Sequence, residues 1–201
     1  MLKQLCVLAL APLAATAINV NFDSLSAGTI VTNQYLSNNV LFTPNGSSLS
    51  GRVTNVAAGE FGAASFGNSN PMALFAADPG DILLIDFVTP DGLSPLPATN
   101  VSFLAGDGDA APDLFRVTFF DPSLASLSVQ TFSTLTAGVS VTCPGCTVRR
   151  VQIDVLSHPA SPFSGMFIDD LAFDPVPEPS MSLLLLGGLA AVRFRNSQSR
   201  R

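Results

Sequence analysis

Apolar and polar residues alternate in short runs along most of the chain. Ile18-Asn19-Val20-Asn21-Phe22-Asp23 has the two-residue period of a half-buried strand. Ile82, Leu84 and Asp86 fall on one side of such a strand and Leu83, Ile85 and Phe87 on the other; Phe115, Val117 and Phe119 oppose Arg116, Thr118 and Phe120 in the same way. Further strands are predicted at 40–42, 52–56, 72–76, 100–105, 126–132, 148–155 and 167–173, each short and bounded by Gly, Pro, Asp or Ser. No stretch between residues 18 and 175 keeps a helical period over about eleven residues, so nothing supplies the crossover helices of a parallel sheet. About ten strands at this spacing predict an all-β fold, a two-sheet antiparallel sandwich. The bunched phenylalanines, out of 15 in the chain, are expected to fill the space between the sheets.

The two ends follow other patterns. Lys3 followed by the apolar run 5–15 and the small residues Ala15-Thr16-Ala17 reads as a secretory signal peptide over 1–17, with the mature chain starting at Ile18. At the other end Val176-Pro177-Glu178-Pro179-Ser180 cannot continue a strand or helix, because each proline fixes φ and lacks an N–H. An apolar run to Val192 and then Arg193, Arg195, Arg200 and Arg201 follow, the polarity of a membrane segment whose last residues stay cytoplasmic. The chain therefore divides into 1–17, a β-sandwich domain over 18–175, and a tail over 176–201.

This tail resembles the PEP-CTERM sorting signal, carried by Val176, Pro177, Glu178 and Pro179, the leucine run and the arginine cluster in that order. The resemblance implies an exosortase-type processing enzyme as partner and an exported protein: an inner-membrane-anchored precursor that passes to the cell surface or outside. The apolar segment 180–192 is 13 residues, about 20 Å as a helix at ~1.5 Å per residue, against a hydrocarbon core of about 30 Å. It is expected to act as a transient membrane anchor, a short hydrophobic sorting helix.

Charge and cysteines narrow the partners. The net charge of −6 understates the body, since residues 18–175 hold fourteen Asp and Glu against four Arg, a net −10. Nucleic acid, which demands a basic face, is excluded as a partner. An acidic exported body suits divalent cations. Cys143-Pro144-Gly145-Cys146 places two thiols around a turn dipeptide, and in an oxidising compartment a local disulfide is expected. A redox pair would need a helix after the first cysteine, and zinc lacks its other ligands nearby.

A second resemblance runs through the body. Phe22-Asp23-Ser24-Leu25, Gly28-Thr29, Thr32-Asn33-Gln34-Tyr35 and Asn39-Val40-Leu41-Phe42 look like the opening of a jelly-roll sandwich common in exported bacterial proteins with this tail, and Ile168-Asp169-Asp170-Leu171-Ala172-Phe173 like its closing strand, which lies beside the first. Asn39 stands where glycine is usual, and Asn also accepts positive φ. Adjacent Asp169 and Asp170 are expected on opposite faces. Related jelly-roll modules hold calcium between first and last strands, which implies a structural ion on Asp23 and Asp170 with an oxygen of Asn21.

Other chemistry finds little support. Asp107 and Asp109 give half a calcium loop without its closing acid and read as a solvated acidic loop. The single histidine, His158, sits before Pro159 with no nucleophile elbow to serve, and no catalytic residue is assigned. With no Trp and one Tyr, sugar-stacking platforms are scarce. The expected role is a non-enzymatic structural or adhesive one at the surface or in the matrix; a carbohydrate-binding module for exopolysaccharide is the alternative, and a hydrolase the third.

Overall fold

The structure, a computed structural model, describes residues 16–46, 51–55, 72–77, 80–107, 113–134, 139–157 and 166–176. The expectations for residues 1–15, for His158, Asp109 and the tail from Pro177 onward lie outside the described residues. The described chain forms β1 (Ile18–Val20), a single 3-10 turn (Leu36–Asn38), β2 (Val40–Asn45), β3 (Val53–Asn55), β4 (Met72–Ala77), β5 (Ile82–Phe87), β6 (Ala98–Asp107), β7 (Asp113–Phe120), β8 (Ser126–Thr134), β9 (Val139–Cys143), β10 (Arg150–Ser157) and β11 (Met166–Pro175). No helix among the described residues is long and apolar enough to cross a membrane.

The strands make two antiparallel sheets, one ordered β3-β4-β11-β6-β9 with β1 also paired to β11, the other β2-β5-β10-β7-β8. From β4 to β11 successive strands alternate between the sheets except at the β7–β8 hairpin, which stays in one sheet, so β4-β11-β6-β9 faces β5-β10-β7-β8, the winding of a jelly roll. Closure of first strand on last is seen in the register Ile18↔Phe173, Asn19↔Ala172 and Val20↔Leu171. The inner positions are those the alternation marks. Leu83, Ile85, Phe87, Phe115, Val117, Phe119, Val151 and Ile153 from one sheet meet Val20, Val101, Phe103, Val141, Ile168, Leu171 and Phe173 from the other, all buried. Phe87 and Phe173 touch across the sheets with ring centroids 4.7 Å apart, while Phe22, Tyr35 and Phe42 form an edge-to-face cluster at 5.7 to 6.1 Å. Burying each such ring contributes about 2–3 kcal/mol, which makes this layer the main source of stability.

Two features depart from simple alternation. β9 is not among the expected strands; its five residues pair β6 from Val101↔Cys143 to Ala105↔Val139 and complete the edge of the six-stranded sheet. In β11 both Ile168 and Leu171 enter the core, three residues apart, which an unbroken strand does not allow. The register against β6 shifts between Asp169 and Ala172, and Asp170 has φ 49°. A bulge therefore absorbs one residue between Asp169 and Ala172, so the plain two-residue period on which the opposite-face expectation rests does not run through this pair.

The connection between β1 and β2 is tied down by its own polar groups. Gln34 accepts from the Thr32 N–H at 2.6 Å and donates to the Ile30 carbonyl at 2.9 Å, and the Tyr35 hydroxyl donates to the Asn21 carbonyl at 2.5 Å. Asn39 closes the 3-10 turn in the left-handed region at φ 64°, the conformation for which glycine is otherwise used. Gly46, after β2, has φ 144°, and a Cβ there would overlap the Asp81 carboxyl.

Candidate functional site

Side chains not used for the core of the five-stranded sheet stand on its outer face, and the register places them in rows. Leu41, Asp86, Arg150 and Phe120 lie side by side in one; Thr43, Leu84, Gln152, Thr118 and Val129 in the next; Asn45, Ile82, Asp154, Arg116 and Thr131 in the third. No described strand covers this face. Cross-strand neighbours of opposite charge pair directly. Arg150 grips Asp86 with two bonds, Nε to Oδ1 at 2.7 Å and Nη2 to Oδ2 at 3.0 Å. Arg116 Nε donates to Asp154 Oδ2 at 3.1 Å, and Gln152 Nε2 donates to Asp154 Oδ1 at 2.8 Å. The result is a rail of planar guanidinium, carboxylate and amide groups in two internally bonded clusters, Arg150 with Asp86 and Arg116 with Asp154 and Gln152, beside the apolar strip of Ile82 and Leu84.

At one end the rail runs into a cavity of about 160 Å³ whose walls include Leu41, Asp86, Gly92, Leu93, Arg149 and Arg150. Its outer wall is the loop between β5 and β6, shaped by Asp91. The Asp91 carboxylate accepts from the Thr89 hydroxyl at 2.5 Å and the Leu93 N–H at 3.0 Å, and these two bonds, the hydroxyl first, hold its pKa below the usual carboxylate value. Leu93 at the loop tip is 84% exposed.

The acidic residues singled out in the sequence sit elsewhere, at a notch in the six-stranded sheet. On one side of β11, β4 pairs as far as Ile168 and β1 begins at Leu171, so Asp169 and Asp170 fall between the two ladders. Asp170 is half-buried; its N–H donates to Asp169 Oδ1 at 2.8 Å. Asp169, which the sequence reading does not select, is the buried one at 2% exposure. Burial pushes its carboxyl up to about 7, the Asp170 N–H opposes this, and the negative charges of Asp170 and Asp23 add to it. Burial likewise raises the Tyr35 hydroxyl above its ordinary value, against a hydrogen bond with Ser24 and with help from the Asp169 and Asp23 charges. Asp23 Oδ1 and Asn39 Oδ1 are buried without hydrogen-bond partners. These oxygens are the kind a hard cation takes, yet among the described residues no three His, Cys, Asp or Glu side chains converge into a metal cage.

Cys143 and Cys146 are joined by a disulfide, Cα to Cα 5.6 Å, closing the turn after β9. β11 ends at Pro175, which pairs with Ala98, and the Val176 N–H donates to the Pro97 carbonyl at 2.7 Å. The last described strand thus stops just before the Pro-Glu-Pro sequence. Residues 175–201 are a PEP-CTERM protein-sorting motif. The PEP-CTERM motif marks the chain as an exported protein sorted through an exosortase. No curated protein matches the chain. Among solved structures it is similar to a family 89 glycoside hydrolase from Clostridium perfringens in complex with 2-acetamido-1,2-dideoxynojirmycin, at 10% identity and TM-score 0.44, with 71% of this chain covered and 15% of that one. It is similar to the CBM22-1 xylan-binding domain from Paenibacillus barcinonensis Xyn10C, at 12% identity and TM-score 0.43, covering 84% and 99% of the two chains. A CBM29-2 mutant complexed with mannohexaose is similar at 10% identity and TM-score 0.40, covering 80% and 92%.

The rail is half legible in the sequence. Alternation assigns Asp86 and Arg116 to faces opposite their core neighbours, but not their partners, since Asp86 and Arg150 lie 64 residues apart and Arg116 and Asp154 38. The signal available is the charge itself: three of the body's four arginines, Arg116, Arg149 and Arg150, fall in or beside strands of one sheet.

Proposed function

We propose that this PEP-CTERM protein is a non-enzymatic component of the cell surface or extracellular matrix that adheres to exopolysaccharide through the outer face of its five-stranded sheet. The observation that carries this reading is the rail of Arg150, Asp86, Gln152, Asp154 and Arg116 on a face that no described element covers. Vicinal sugar hydroxyls both donate and accept, and fork-shaped groups meet them in pairs. Groups already fixed by their neighbours lose little side-chain freedom on binding. Ile82 and Leu84 supply an apolar strip for the C–H faces of a sugar ring. Asp86 and Asp154 are each engaged with an arginine, which suits a binding surface better than the carboxylic acid and carboxylate pair of a glycosidase.

Affinity electrophoresis in gels containing the host's own exopolysaccharide tests the reading. The protein is expected to be retarded, and Gln152→Ala and Arg116→Ala to lose most of the retardation with unchanged far-ultraviolet circular dichroism. Migration equal to that in a blank gel would leave only a structural role, and retardation unaltered by both substitutions would move the site off this face. Turnover of the polysaccharide would favour the hydrolase instead. A structural calcium ion held by Asp23 and Asp170 is a separate proposal, supported by the unpartnered Asp23 oxygen.

A further inference from the structure

The two sheets have five strand edges, because β1 pairs β11 beside β4 and leaves a side of its own, and each exposed edge offers unpaired N–H and C=O groups to another chain. Four are short or blunted here. β1 is only three residues long. β3 is three residues long and is overlaid by residues 28–31, through Gly28 N–H to Val53 O, Val53 N–H to Thr29 O and Val31 N–H to Gly51 O. β2 contains Pro44, and its Phe42 and Val40 N–H groups donate to the carbonyls of Thr32 and Tyr35 in the preceding loop. β9 is five residues long, ends in the Cys143–Cys146 disulfide, and gives its Thr142 carbonyl to Gln130 Nε2 at 2.9 Å.

β8 has none of these devices beyond its first residues. It runs nine residues, Ser-Leu-Ser-Val-Gln-Thr-Phe-Ser-Thr, without proline, glycine or charge. A bulge against β7 is confined to the Ser126–Ser128 start, and from Ser128 to Thr134 the register is unbroken. Among the described residues, no backbone hydrogen bond outside the ladder with β7 involves residues 126–134. Val129 is 57% and Leu127 45% exposed. Residues 122–148 carry no charged side chain at all, in a body with a net −10.

We infer that the free edge of β8 is an interface between two copies of this chain, joined antiparallel about a two-fold axis. A second copy is the occupant that the charges favour: two strongly acidic bodies repel over most of their surfaces, and an uncharged edge is a place where they approach without opposing like charges. An antiparallel pair is self-complementary, as a two-fold interface requires. Centred on Gln130, it sets Val129 of one copy beside Thr131 of the other, a β-branched cross-strand pair of the kind that stabilises sheets. The two five-stranded sheets then become one sheet of ten, with both outer faces on a continuous surface. The inference does not depend on polysaccharide binding, and its test contains none.

Amide hydrogen exchange of the full chain in detergent, followed with protein concentration, reads the edge directly. The amides of Ser128 to Thr134 that point away from β7 are expected to slow by about fivefold at a total protein concentration ten times the dissociation constant, where about one fifth of the chains are monomeric, and sedimentation velocity to show a dimer. Val129→Lys and Thr131→Lys, both at exposed positions, should abolish the concentration dependence while leaving the melting midpoint unchanged. Association through the tail would leave β8 exchange independent of concentration and insensitive to either lysine; that result, or a chain that stays monomeric, overturns the inference.

Discussion

The substitution Asp169→Asn isolates the electrostatic cost of the notch between β1 and β4. The carboxyl is 2% exposed and its pKa is pushed up to about 7 in the folded chain, chiefly by burial, against 3.8 as its ordinary value. A raised acid keeps, in the native state, a proton that the unfolded chain has already released. Between about pH 4 and 7 the native state therefore binds more protons, and stability falls as pH rises through that window; the loss is complete above it and absent below it. The gap between the two values corresponds to up to about 4 kcal/mol. The amide of the variant keeps an oxygen for the Asp170 N–H and cannot ionise. Urea unfolding at intervals from pH 4 to 8, with chelator present, gives stability curves for both proteins. The variant is expected to match the wild type near pH 4 and exceed it by up to about 4 kcal/mol at pH 8. A difference between the two that stays constant across this range would refute the assignment of a proton to this side chain.

Other outcomes follow from the same structure. Arg150→Ala leaves Asp86, whose side chain is 13% exposed, without its cation and should lower stability by about 1–3 kcal/mol in chemical denaturation, while the double variant Asp86→Leu, Arg150→Met should recover most of the loss. Reducing the Cys143–Cys146 bridge opens only a short loop, its cysteines 3 positions apart, and should lower stability by about 2 kcal/mol, read as a shifted urea midpoint with and without reductant. Phe173→Ala removes the ring that meets Phe87 across the sheets and should cost about 3–5 kcal/mol in the same assay. If calcium binds at Asp23 and Asp170, calcium raises the thermal midpoint over that in chelator; equal midpoints end that proposal.

What can be read in advance is what depends on neighbours in the chain. The alternation of Ile82 to Phe87 and of Phe115 to Phe120 already separates core from surface, and the flanking turns place most of the strands. Val139-Ser140-Val141-Thr142-Cys143 alternates too, but the pairing that makes it a strand comes from Val101 to Ala105, far earlier in the chain, and the cysteine turn at its end is the stronger local signal. The bulge at Asp169 and Asp170 is hidden for a related reason. A two-residue period predicts opposite faces, and only the shifted register against β6, with positive φ at Asp170, shows that an extra residue is stored there. Asp169, the desolvated acid, sits at this bulge, where neither β1 nor β4 pairs.

The strand that leads into the sorting motif is flanked on both sides, by β6 along one edge and by β4 and β1 along the other. While the tail is held, any drag on the body is transmitted to β11 lengthwise, where the rungs of its ladders resist together in shear instead of opening one at a time. A molecule fastened by this end hangs from the middle of its sheet, so tension arriving through the tail reaches the most heavily supported strand before any loose margin.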